Sequence, residues 1–80
     1  MGTRCRPKPQ RLPAKLLEIR QTLRMSQSEL IQALKIKTTD ARISEYEHGI
    51  REPNLLVLLA YARLAQIPLE HILDDDKDLR

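Results

Sequence analysis

From Leu12 onward the apolar positions follow a helical repeat. Leu12, Leu16, Ile19 and Leu23 fall four, three and four residues apart and so line one side of a helix. Pro13 suits the first turn, where a missing N–H has no partner to lose. Ser26-Gln27-Ser28-Glu29 then reads S-x-x-E, a capping box in which hydroxyl and carboxylate satisfy each other's free backbone donors, worth about 1 kcal/mol. A second helix is predicted from Gln27, with Leu30, Ile31 and Leu34 as its buried stripe. After a polar break from Lys35 to Thr39, a third helix is predicted from about Asp40 to His48. Gly49 stands where a left-handed C′ residue is wanted. Asn54 is placed to cap a fourth helix, Leu55 to about Gln66, whose apolar residues run nearly all the way round. Such a helix is buried on several sides, by the core alone or by the core and a partner. Pro68 opens a short fifth helix through about Leu73. Nothing alternates with the period of a strand, so the chain is expected to be all-α.

The flanks differ in kind. Residues 1–12 hold prolines and bases with almost nothing to bury, and are expected to form a flexible basic arm. The domain proper is 13–73, and 74–80 is expected to be a solvated acidic tail. Eighty residues allow one small domain. The net charge of +3 is unevenly spread: Arg4, Arg6, Lys8 and Arg11 face no acid in residues 1–13, whereas Asp74, Asp75, Asp76 and Asp78 outnumber Lys77 and Arg80. A basic arm on a near-neutral body permits a polyanionic partner without requiring one. Cys5 is the single cysteine, so neither an internal disulfide nor a cysteine metal pair is available, and a reducing cytoplasm is the expected compartment. The run from Leu55 to Tyr61 is far short of the ~20 residues a bilayer needs. The N-terminus has no apolar stretch behind its charges, unlike a secretory signal.

Two short helices with a tight connection and flanking helices describe a helix-turn-helix. The ordered set Ile19-Arg20 with Arg24, SQSEL (26–30), RISEYEHG (42–49), EPNLLVLLAYA (52–62) and IPLEHIL (67–73) resembles the Cro/repressor-type, or Xre, family of DNA-binding domains. The resemblance implies a compact five-helix, lambda-repressor-like fold with the helix-turn-helix in helices 2 and 3. It also implies an ion pair between Glu47 and Arg20 on helix 1. On a helical wheel Glu47 shares the side of Ile43 and Tyr46, the core anchors, away from Ala41, Ser44, Glu45 and His48.

Carrying over the family's reading positions makes Asp40, Ala41, Arg42, Ser44 and Glu45 the base-facing residues. Arg42 can pair with guanine O6 and N7, Ala41 can meet a thymine methyl, and a carboxylate can accept from cytosine N4. Glu45 has an ordinary alternative, an i,i+3 pair with Arg42, and Asp40 also favours the helix dipole. Phosphate contacts are expected from Gln27 at the start of helix 2, from Lys35, Lys37 and Thr39 before helix 3, and from His48, Arg51 and Asn54 after it. The arm either reaches an adjacent groove or is simply disordered. Where the family usually has Ala and Gly, this chain has Ile31 and Lys35, and two residues are added around Lys37-Thr38, so helix 3 is expected slightly farther from helix 2.

These readings describe a regulator that binds double-stranded DNA, expected to be a repressor on a near-palindromic operator as a homodimer, with Leu55, Leu56, Leu69 and Ile72 as the dimer face. A second class remains open: an antitoxin-like or adaptor module whose surface binds a regulatory protein. An enzyme is not expected, because neither His48 nor His71 is grouped with a nucleophile or acid. His71, Asp74 and Asp75 have metal-like spacing, but a solvated tail is the simpler reading. No cofactor or metal is expected.

Overall fold

The computed structural model describes residues 10–79; the expectations for the arm before Gln10, including Cys5, lie outside the described residues. Five helices follow one another: α1 Leu12–Leu23, α2 Gln27–Leu34, α3 Asp40–Glu47, α4 Leu55–Ala65 and α5 Leu69–Leu73. No strand occurs among the described residues. α1 packs on α3, α4 and α5, α2 packs on α3 and α4, and α5 rests on α4. Their shared core contains Leu12, Leu16, Ile19, Leu30, Leu34, Ile43, Tyr46, Leu58, Tyr61 and Ile72. Ile31, expected to be fully buried, is half-buried at the core's edge.

Each helix entrance has a physical cause. Ser26 accepts from Glu29 N at 3.1 Å while Ser26 N donates to Glu29 Oε1 at 2.8 Å, completing the capping box. Thr39 and Asn54 cap α3 and α4 by accepting from Arg42 N and Val57 N. The exits are less ordinary. Arg24, Lys35 and Gln66 close α1, α2 and α4 with φ of 58°, 58° and 59°, the left-handed region that favours glycine. At Lys35 this conformation turns the chain into the α2–α3 connection. Within it Ile36 packs against the core, and Thr38 Oγ1 is buried with no hydrogen-bond partner among the described residues.

The C-terminal segment departs from the expected solvated tail. Asp75 accepts from the backbone N–H groups of Gln10 and Arg11, both at 2.9 Å. The Arg11 guanidinium donates to Asp75 O at 2.8 Å and to Asp78 Oδ1 at 2.8 Å. Lys15, only 2% exposed, donates from Nζ to the carbonyls of His71, Asp74 and Lys77 at 2.7, 2.7 and 2.8 Å. Leu79 is buried against the core. Arg11 and Leu79 therefore both pack with the helices. The cause is electrostatic: the N–H groups at the entrance of α1 and the carbonyls at and just after the end of α5 lack intrahelical partners, and the Asp75 carboxylate and the Lys15 ammonium satisfy them.

Candidate nucleic-acid interface

α3 turns Ile43, Tyr46 and Glu47 inward and leaves Asp40, Ala41 and Arg42 exposed, with Ser44 and Glu45 half-buried beside them. Its orientation is held from two directions. From α1, Arg20 Nε donates to Glu47 Oε2 at 2.7 Å and Arg20 Nη2 to Glu47 Oε1 at 3.1 Å, a bidentate pair. The Glu47 side chain is 2% exposed and that of Arg20 20%. The guanidinium also reaches Met25 O at 3.1 Å, tying the pair to the turn before α2. Glu47's hydrogen bond raises the Arg20 pKa against the opposing effect of desolvation. Tyr61 is buried beside the pair, and loss of solvent, followed by the field of Glu47, pushes its hydroxyl well above the ordinary tyrosine range. From α2, Ser28 Oγ lies 2.8 and 3.1 Å from the two Asp40 carboxylate oxygens, so a hydroxyl donor bridges the two motif helices.

The third acid of α3, Glu45, is also partnered. Arg51 Nε donates to Glu45 Oε1 at 2.9 Å, and Arg42 Nε stands 3.8 Å from the same oxygen. The backbone N–H groups of Ile50 and Arg51 both donate to Glu45 O, at 2.9 and 3.3 Å. The expected i,i+3 contact with Arg42 is thus the looser of two. Neither the Arg51–Glu45 pair nor the Ser28–Asp40 bridge follows a helical period, and neither was anticipated.

The expected phosphate donors form a rim around this face. Lys35, Lys37, Thr39, His48, Arg51 and Asn54 are exposed, whereas Gln27 is half-buried. The side-chain amide of Gln27 leans toward Glu47 Oε1 at 3.4 Å. Thr39 and Asn54 use their side-chain oxygens as helix caps, which leaves the Thr39 O–H and the Asn54 amide as donors. His48 Nδ1 lies 2.7 Å from Ser44 O, which leaves Nε2 as the outward ring nitrogen. Lys37, Thr38, Thr39 and Arg42 line a shallow open hollow at the N-terminal end of α3.

The helix-turn-helix family matches residues 16–72, from the middle of α1 to α5. The chain belongs to the Cro/repressor-type, Xre-like helix-turn-helix family. No curated protein and no solved structure matches it. The all-helical architecture is that of the lambda-repressor-like helix-turn-helix domain, with the motif in α2 and α3. The family is one of DNA-binding transcription regulators and is not typically enzymatic. Among the described residues of this helix-turn-helix domain, no helix is long and apolar enough to cross a membrane, and no group of His, Cys, Asp and Glu is arranged to hold a metal ion.

One part of the expected dimer face needs correction. Leu55 and Leu56 are 63% and 74% exposed, but Ile72 has no exposure at all. Its place on α5 directs it into the domain's own core, where no second copy can touch it. Leu69 is half-buried. An apolar residue that the helical pattern did not single out, Ile50 at 75% exposure, stands in the loop before Leu55.

Proposed function

We propose that this protein is a sequence-specific transcriptional repressor that acts in the cytoplasm and binds a near-palindromic DNA operator as a homodimer. The observation that carries the reading is the α3 surface: Ala41 and Arg42 are exposed, each acid has an intrachain partner, and cationic or amide donors surround the helix. Among the described residues Arg42 has a single, distant carboxylate partner, at 3.8 Å, which leaves it available for guanine, and the rim donors suit phosphates. Gln27, Lys35, Lys37, Thr39, His48, Arg51 and Asn54 fix the register, while α3 lies in the major groove.

Ile50, Leu55 and Leu56 support a second copy. All three are exposed in the loop before α4 and its first turn, and the same loop helps line an open hollow of about 250 Å³ through Gly49, Arg51, Glu52 and Pro53. A two-fold contact on this surface brings the same residues together from both copies. It sets the two α3 helices at half-sites one helical turn apart.

The same exposed apolar patch also suits a protein partner, the basis of an alternative adaptor or antitoxin-like role. Salt separates the two. Binding to duplexes selected from a random pool should weaken on added salt, with a log–log slope near −0.9 for each phosphate contacted. A flat salt response, or no enrichment of any duplex, rejects the DNA reading.

A further inference from the structure

Glu45 stands one turn below Ala41 on the exposed side of α3, where an unpaired carboxylate would repel a phosphodiester backbone. Its charge is met by Arg51, which approaches through Nε alone at 2.9 Å. Among the described residues the two terminal nitrogens of Arg51 find no hydrogen-bond partner, and its side chain is 51% exposed. The backbone restricts this arginine further, because Ile50 N and Arg51 N both donate to Glu45 O. Residue 51 is therefore held next to residue 45 whatever its side chain does. The second carboxylate oxygen of Glu45, Oε2, has no partner among the described residues. A guanidinium presents its donors in a rigid fork, so it can hold one anion through Nε and another through its terminal nitrogens.

We infer that Arg51 is a positioning residue that bridges a DNA phosphate to Glu45 and thereby sets Glu45 as a hydrogen-bond acceptor for an amino-bearing base, cytosine or adenine. This rests on the DNA-binding reading above. Arg51 neutralises the acid in the free protein and keeps it neutralised in the groove, while Oε2 is left to accept from cytosine N4 or adenine N6. Guanine and thymine present only acceptors at the corresponding edge. They leave the carboxylate facing like charge, so the acid discriminates more by rejection than by attraction.

The test is selection of bound duplexes from a random pool, followed by titration of the selected site and its single-base variants at several salt concentrations. Wild type, Glu45→Ala, Arg51→Met and Arg51→Lys would be compared. All are substitutions of exposed or half-exposed groups, and thermal melting would verify that each folds. Wild type should prefer cytosine or adenine at one position of each half-site by about tenfold or more. Glu45→Ala should lose that preference alone. Arg51→Met should lose the same preference and also reduce the salt slope by about 0.9. Arg51→Lys should retain the slope while relaxing the preference, because an ammonium lacks the fork. An ordinary phosphate ligand would weaken binding to all sequences equally. Unchanged base preference in Arg51→Met or Arg51→Lys, with wild type still selecting a site, overturns the bridging role and leaves DNA binding intact. Failure of wild type to select any duplex overturns both.

Discussion

Glu47 is the residue on which the orientation of α3 depends most directly. Its carboxylate is almost wholly removed from water, and Arg20 supplies two of its hydrogen bonds at 2.7 and 3.1 Å. A buried ion pair adds little net stability compared with an apolar replacement, but losing one member strands the other charge. Among the described residues, Arg20→Ala would leave the Glu47 carboxylate with the long 3.4 Å contact from Gln27 alone. Such losses cost about 3–5 kcal/mol, and the partial exposure of Arg20 places this one near 3. At about 4–8 °C per kcal/mol for a domain of this size, the melting temperature should fall by roughly 12–24 °C. A shift of less than a degree by circular dichroism would reject the pair. The double replacement Arg20→Met with Glu47→Leu should recover much of the loss, since neither charge is then buried alone. Both residues were legible in advance: Glu47 falls on the core side of a helical wheel, and Arg20 is supplied by the resemblance. Glu45 was only half legible, because Arg51 lies six positions away across a turn whose path no periodicity describes.

At the scale of elements, the first turn of α1 is capped from the other end of the chain. Arg11 occupies the N-cap position with no side-chain cap of its own, and the Asp75 carboxylate accepts from Gln10 N and Arg11 N instead. These bonds hold the Asp75 carboxyl below the usual carboxylate range, as Arg11 does for Asp78. The sign of the pH effect follows. On acidification the unfolded chain takes up protons first, so this stabilisation is complete above the ordinary carboxylate pKa and disappears as pH falls through the lower folded values. Asp75→Asn should therefore flatten the acid-side fall in melting temperature and speed hydrogen exchange at Gln10 and Arg11. Melting profiles that superimpose with wild type from about pH 5 to about pH 2 would exclude the cap. None of this was visible in a run of aspartates, which local composition describes as a solvated end. Capping boxes such as Ser26–Glu29 are legible because both partners lie within one turn. The contact of Asp75 with Arg11 depends on how all five helices pack, as does Lys15, whose aliphatic neighbours in sequence give no hint that its ammonium holds three carbonyls.

For the whole molecule, the internal charge pairing changes what can reach a polyanion. Arg11 is engaged by the C-terminal segment, and the acids of α3 are each met within the chain. On the proposed reading the rim around α3 supplies phosphate contacts, and a second copy would double them and fix the spacing of two half-sites. The apolar group of Ile50, Leu55 and Leu56 is the surface that a second copy would cover. Leu56 is 74% exposed, so replacing it should change the stability of the isolated domain by no more than about 0.5 kcal/mol. Leu56→Glu should leave the melting temperature of dilute protein within a few degrees of wild type while lowering affinity for a two-half-site operator at least tenfold. Affinity for a single half-site should fall far less. Leu56→Gln, which adds no charge, should behave in the same direction and so separate lost apolar contact from repulsion by DNA. Equal losses on one and two half-sites would place Leu56 against the DNA. No loss on either, with sedimentation showing one protein copy per operator, would rule out a dimer built on this face.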